Sequence, residues 1–570
     1  MTNVKPCSLM LKMWPILVFL SAILVSIHGI SENIDCIVQL PHGKIQGHIL
    51  RSENGKNYYA FQEIPYAAPP IGENRFQEPK EPEPWDGIRS ATRNEVVCLQ
   101  EMPIPSSLRM SEDCLYLNVY SPVSNLNFTN PSLPVLMYIH GGIYKFESGA
   151  FEYYNPRFLM DHDIIIVTIN YRLGPFGFLA TSDGVIPGNL GIKDMLLALK
   201  WVHKNINLFG GDKDQVTLMG HSAGAMCIGN LQMSPLTKGL VKGYIMASGS
   251  PLNPPVYQDD PDIYAFDMGK AVDKYFNSTN TQELLYLLQG APAEIILQKP
   301  LFEHKYNHSL AKNLIWTPSI EPEHKNAVIT GYMLEKLSSG HFEKTPMLIS
   351  TALEEAVGLV RDINEQIQDA PYYDRDVRRV INPRLNVPPE KLAQAGREYR
   401  SVYTSSNFSN DIPAFLKYLG EELFSTPVIH HAVVASTYIP VYFYQFSHKG
   451  PMGHIQPLAV PGIGNVGHGE ELAYIFGGQK KIMDDLNIYP EPDILTMKRM
   501  LKIITNFVKY QNPTPEPDDL FDGVIWPQFC KDTLLYMNIN NTLEIKQSPK
   551  HYIKVRKVLD KYRQRPFIVF

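Results

Sequence analysis

From Gln215 to Met219 the chain is an apolar, β-type segment that runs into Gly220-His221-Ser222-Ala223-Gly224 and then into a helix-compatible run. Few sequence features restrict a fold as strongly. A serine hydroxyl is a weak nucleophile, and it becomes useful only when exposed, aligned to a base and close to hydrogen-bond donors. A sharp strand-to-helix turn meets all three needs, at the cost of strained backbone and close packing. Gly220 and Gly224 remove the side chains that would collide there. Taken alone, G-x-S-x-G is also an ordinary Gly-rich turn. The preceding β-run and the following helical run favour Ser222 as a nucleophile.

The flanking chain sets this turn in an alternating pattern. Cys36 to Leu40 and Lys44 to Leu50 read as short antiparallel strands, and Asn54-Gly55 is a hairpin signal. After a Pro-rich stretch come two continuous apolar runs, Val135 to Ile139 and Ile164 to Ile169, of the kind buried on both faces of a sheet. Ile192, Met195, Leu196, Leu199, Val202 and Ile206 recur at helical spacing and predict a helix over about 190–205. Further strands are expected at 215–219, 243–247, 346–351 and 440–446. Strands alternating with helices imply an α/β fold with a large, mostly parallel central sheet, helices on both faces, and small antiparallel strands at the N-terminal end.

Other parts of the sequence bear on location. Lys5 and Lys12 precede an apolar stretch from Met13 to Ile27, and His28-Gly29-Ile30-Ser31 offers small residues for cleavage. That is the layout of a signal peptide over residues 1–29, too short to be read as a spanning helix. No second such run follows, so no stable membrane span is expected after cleavage. The mature chain is read as secreted and extracellular. Asn-x-Ser/Thr occurs at Asn127, Asn277, Asn307, Asn407 and Asn540, which are expected N-glycosylation sites. Cys98 and Cys114 bracket a short loop and are read as a disulfide. Cys227 lies on an apolar helix and is read as a buried thiol; the pairing of Cys36 and Cys530 is left open. The net charge of −6 comes with no long basic run, which argues against a nucleic-acid partner. No metal, no cofactor and no particular oligomeric state is called for.

Three more elements must serve Ser222. An oxyanion needs donors, and one is expected from the backbone N–H of Ala223. His140-Gly141-Gly142-Ile143-Tyr144, a Gly-rich turn after an apolar strand, is placed to supply others from Gly142 and Ile143. In the chain order of this kind of site an acid and then a histidine follow the serine. Among 17 histidines, His468 stands in the Gly-rich turn 464–469 ahead of a helix-like run, which suits a base on a loop. Glu354 and Glu355 both follow the strand at 346–351, and the residues alone do not choose between them.

These motifs resemble the type-B carboxylesterases, α/β-hydrolases that include cholinesterases and arthropod juvenile-hormone and general esterases. The resemblance covers almost the whole mature chain. It rests on Phe61-Gln62-Glu63-Ile64-Pro65-Tyr66-Ala67, Asn74-Arg75-Phe76, Ser111-Glu112-Asp113-Cys114-Leu115-Tyr116-Leu117-Asn118, Asn170-Tyr171-Arg172, Pro187-Gly188-Asn189 and Phe209-Gly210-Gly211-Asp212. The turns around Ser222 and His468 complete it. It implies one catalytic domain over residues 30–570, a serine esterase acting on small-molecule esters, with Glu355 as the acid of a Ser222-Glu355-His468 triad. It also implies a Cys98–Cys114 disulfide, in agreement with the local reading, and buried ion pairs Arg75–Glu112 and Arg172–Asp194.

The departures narrow this expectation. The third residue of the family's oxyanion turn is usually Gly or Ala, and here it is the β-branched Ile143, which crowds the turn. Ala356 replaces a glycine. No tryptophan lies between Cys98 and Cys114, where cholinesterases bind the choline cation, and His221 stands where they carry a glutamate. A quaternary ammonium needs an aromatic platform and a nearby anion, so uncharged, apolar esters are expected in preference to choline esters. Ile143 keeps open a rival class, a cholinesterase-like adhesion or binding protein without turnover, against which the three triad residues stand. Within enzymes the alternative is a juvenile-hormone esterase, whose group usually has glutamine where His221 stands.

Overall fold

The computed structural model describes residues 36–126, 132–254, 257–258, 260–298, 314–359, 363–454, 460–464, 466–476 and 485–570. The expected signal segment 1–29 and the sequons at Asn127 and Asn307 lie outside these residues.

β1 (Ile37–Leu40) and β2 (Gly43–Gln46) form an antiparallel hairpin. The single strand expected over 44–50 is broken at Gly47, and β3 (His48–Arg51) crosses into the central sheet, antiparallel to β4 (Asn57–Pro65). The break follows from packing: a Cβ on residue 47 would stand 2.5 Å from the Ala60 carbonyl oxygen. Asn54-Gly55 occupies the β3–β4 turn, with Gly55 at φ 79°. β5 (Ile88–Ser90) pairs with β2, while β6 (Val96–Cys98) and β7 (Arg109–Ser111) form a small parallel pair. The Cys98–Cys114 disulfide closes the loop that contains β7.

The remaining strands are β8 (Tyr116–Ser121), β9 (Leu133–Ile139), β10 (Ile165–Ile169), β11 (Gly211–His221), β12 (Gly243–Ala247), β13 (Met347–Ala352), β14 (Val441–Phe446), β15 (Leu535–Ile539) and β16 (Leu543–Gln547). With β3 and β4 they form an 11-stranded sheet in the order β16-β15-β14-β13-β12-β11-β9-β10-β8-β4-β3. The run from β10 through β15 is parallel throughout, and antiparallel pairs occur only towards the two edges.

The apolar runs behave as double-sided strands must. On β9, Val135, Met137 and Ile139 enter one core, and Leu136 and Tyr138 enter the other. The helix Leu190–Asn205 covers the first face with Ile192, Met195, Leu199 and Val202. The helix Glu491–Tyr510 covers the second with Met500, Ile503, Ile504 and Phe507. Two charged clamps tie loops to this frame. Arg172, just after β10, pairs bidentately with Asp194 on the first helix (Nε–Oδ2 2.8 Å, Nη2–Oδ1 2.7 Å), and both side chains are almost fully buried. Arg75 pairs with Glu112 (2.7 and 2.6 Å) and donates from Nη1 to the carbonyls of Leu288 and Ala291.

Candidate active site

The C-terminal ends of the parallel strands collect the polar residues singled out above, the place where open α/β sheets form their crevices. Ser222 follows β11 directly and starts the helix Ala223–Gln232. Its backbone sits at φ 54°, ψ −123°, a strained position for a residue with a Cβ. Neighbours hold it there: the Ser222 N–H donates to Ala247 O at the end of β12 (2.9 Å). Both flanking glycines are required sterically. A Cβ at Gly220 would meet the Gly224 carbonyl carbon at 2.5 Å, and one at Gly224 would meet Ile139 O at 2.3 Å. The turn is therefore wedged between β9 and its own helix.

The Gly-rich turn after β9 approaches the same point. A Cβ on Gly141 would lie 3.2 Å from the Ser222 Cβ. The Tyr171 hydroxyl lies within hydrogen-bond reach of the carbonyls of His140 and Gly141 (3.0 and 3.1 Å), and Gly142 O accepts from the N–H groups of Lys145 and Phe146. Gly142, Ile143 and Tyr144 all have positive φ (87°, 46° and 64°). For Ile143 this is costly, because a β-branched side chain is poorly accommodated in the left-handed region. The disulfide loop braces the far side. Gln100 accepts from Glu147 N–H (2.9 Å) and donates to Glu147 O (3.1 Å).

The structure separates the two carboxylates that the residues alone left equivalent, and it sets Glu355, the one the resemblance implied, beside His468. Glu354 is partly exposed and accepts from the Gly464 N–H (2.6 Å). Glu355 is 1% exposed, and its Oε2 lies 2.7 Å from His468 Nδ1. Its other oxygen, Oε1, accepts from Ser248 Oγ and from the Ala352 N–H, each at 2.7 Å. A carboxylate can only accept, so the imidazole proton sits on Nδ1, and Nε2 of the neutral ring is left with its lone pair. That Nε2 is buried and has no hydrogen-bond partner. The His468 ring packs between Phe424, at 4.4 Å between centroids, and His221, at 4.6 Å. Phe424 comes from a π-helical turn, Glu421–Ser425.

The loop carrying His468 is pinned in place. His468 N–H donates to Val357 O (2.7 Å), and Glu354 N–H donates to Val466 O (2.9 Å), which zips the two loops together. Gly467 is needed for that approach, since a Cβ there would stand 2.1 Å from Val357 O. Burial, followed by the repulsion that the neighbouring His468 and His454 would exert on a second cation, drives the His221 pKa well below the usual histidine value, so the ring beside Ser222 is neutral. Burial and the Glu355 charge push Glu471 up to about 8.

Sequence reasoning did not single out Ser248, Phe424 or Glu471. Ser248 had a usable signal, since it directly follows β12 as Ser222 follows β11. Phe424 had none, because its role depends on a π-helical turn.

The sheet order and the residues gathered at its C-terminal edge define an α/β-hydrolase. The carboxylesterase family profile matches residues 35–554. The chain is 32% identical to "Esterase FE4" of Myzus persicae over 529 residues, covering 85% of this chain and 86% of that protein. It is 28% identical to the "Juvenile hormone esterase" of Tribolium castaneum over 501 residues, covering 84% of each. The crystal structure of juvenile hormone esterase from Manduca sexta, with OTFP covalently attached, superposes with a TM-score of 0.78 at 28% identity, covering 92% of this chain and 99% of that one. The chain belongs to the carboxylesterase family, and it is a carboxylic ester hydrolase.

Proposed function

We propose that this hydrolase works by two-step acyl transfer through Ser222, with His468 as general base and Glu355 as the orienting acid. The observation that carries the reading is the 2.7 Å contact between Glu355 Oε2 and His468 Nδ1, which leaves a buried Nε2 unpartnered on a ring packed beside that of His221, the residue before Ser222. His468 takes the hydroxyl proton as Ser222 attacks the ester carbonyl, and Glu355 stabilises the imidazolium that forms. The N–H groups of Gly142, Ile143 and Ala223 receive the oxyanion. His468 returns the proton to the leaving alcohol, then activates the water that releases the acid.

The favoured substrates are uncharged, apolar esters. A choline head group needs a cation–π platform and a nearby anion. The loop from Cys98 to Cys114 carries no tryptophan, and the residue before Ser222 is a neutral imidazole rather than a carboxylate. A secreted glycoprotein is the matching location. Asn277, Asn407 and Asn540 are exposed, and no helix among the described residues is long and apolar enough to cross a membrane.

Labelling with a fluorophosphonate followed by peptide mapping tests the nucleophile. Modification is expected on Ser222 alone, and Ser222→Ala is expected to lose both label and turnover. Wild-type turnover in that variant would sink the reading. A panel pairing apolar alcohol esters with choline esters of the same acyl group tests the substrate class.

A further inference from the structure

A lysine far along the chain backs the proposed acid. Lys550 lies after β16, partly buried, and its Nζ donates to the carbonyls of Ala352 (3.1 Å) and Leu353. The same Ala352 presents its N–H to Glu355 Oε1 at 2.7 Å. One residue at the end of β13 therefore has its carbonyl held by a cation and its N–H held by the carboxylate that contacts His468. Hydrogen bonds in such a chain polarise one another, and the cation strengthens the series.

The surroundings give the charge a second task. Glu355 is buried, and Lys550 is a cation that interacts with it across this turn. Around Lys550 stand Glu354 and Glu355 from the turn after β13, Lys417 from the helix Ile412–Gly420, and Glu421 from the π-helical turn. Glu421 is itself occupied by His551 Nδ1 (2.9 Å) and the Tyr403 hydroxyl (3.2 Å). A cavity of about 20 Å³, room for roughly one water, separates Glu355, Glu421 and Lys550. The end of the helix Ile412–Gly420 closes the back of the turn, since a Cβ on Gly420 would lie 2.8 Å from Ala356 N.

We infer that Lys550 is a positioning residue for ester hydrolysis: it fixes the Ala352 peptide that orients Glu355, and its positive charge acts on the Glu355–His468 pair. This inference rests on the triad reading above. Loss of the cation leaves the Glu355–His468 pair in a more negative environment, which favours the protonated imidazole.

The test compares Lys550→Met, Lys550→Gln and Lys550→Arg on a neutral ester. Met removes both charge and donors, Gln keeps a donor without charge, and Arg keeps both. Met and Gln are expected to lower kcat about tenfold with KM within about twofold, and to move the acidic limb of kcat/KM up by roughly half a pH unit. Arg is expected to restore both. An acidic limb at the wild-type position in Lys550→Gln overturns the inference, whatever its melting temperature does. If Lys550→Met does not fold, the Gln variant carries the test. Ser222→Ala and Glu355→Gln run beside them: wild-type turnover in either removes the triad reading, whereas their failure together with an unmoved limb in Lys550→Gln removes this inference alone.

Discussion

His468 Nδ1 and Glu355 Oε2 stand 2.7 Å apart although 113 residues separate them in sequence. The contact survives because both loops are tied by backbone hydrogen bonds, Val357 O to His468 N–H and Val466 O to Glu354 N–H. Each side chain arrives with its backbone already fixed, so little orientational freedom remains in the pair.

Ser248 is the first place to probe that arrangement. Its hydroxyl donates to Glu355 Oε1 in a buried setting. A hydrogen bond to a charged group contributes about 1.5–3 kcal/mol. Ser248→Ala is expected to lower kcat by about tenfold or more with little change in KM. Steady-state kinetics check it, and an unchanged kcat would show that the Ala352 N–H alone suffices.

Ile143 carries backbone strain at φ 46°. Placing an L-residue in the left-handed region costs roughly 1–2 kcal/mol, while glycine brings back about 0.5–1 kcal/mol of unfolded-state entropy. Ile143→Gly is therefore expected to raise stability by up to about 1 kcal/mol. Turnover should be kept or increased, since the backbone N–H remains. Denaturant midpoints and kcat decide it; a clear loss of stability would mean that packing of the isoleucine side chain outweighs the strain.

Glu471 predicts a pH dependence of stability. Burial and the Glu355 charge raise its folded-state pKa to about 8, above its ordinary value of 4.5. Between those values the unfolded chain has released a proton that the native chain retains. Stability from this group is thus full below about pH 4.5 and is lost as pH rises to about 8. Glu471→Gln should flatten that decline, giving a melting temperature closer to wild type at pH 5 and higher than wild type at pH 8.5. Equal shifts at both pH values would contradict it.

The Arg172–Asp194 pair is nearly sealed from solvent. Removing one partner of such a pair leaves an uncompensated charge and costs about 3–5 kcal/mol. Arg172→Met is expected to fall in that range, and the double variant Arg172→Met with Asp194→Leu should recover much of the loss. A double-mutant cycle in urea checks the coupling.

Much of this is legible in the sequence. The double-sided apolar runs at 135–139 and 164–169 announced central strands, and helical periodicity placed a helix at about 190–205, where the helix Leu190–Asn205 lies. Where the reading failed, the cause was non-local. Gly47 breaks an apparently continuous strand because the Ala60 carbonyl crowds it from another strand. The Gly-rich turn at 464–469 reads as flexible, yet its backbone is fastened to the turn after β13.

The sequence by itself determined the strand-turn-helix around Ser222, because Gly220 and Gly224 are the only side-chain-free residues that such a wedge can take. It also determined the alternation of strands and helices, since periodicity is a property of neighbours along the chain. The residues alone left Glu354 and Glu355 open and the family resemblance implied Glu355; only the tertiary structure shows how their surroundings differ one step apart along a turn. One ends at the surface on Gly464 N–H, the other in the interior against His468, Ser248 and Ala352. That choice is made by which way each side chain leaves the end of β13, and the direction is set by packing against β12, the helix Ile412–Gly420 and the His468 loop.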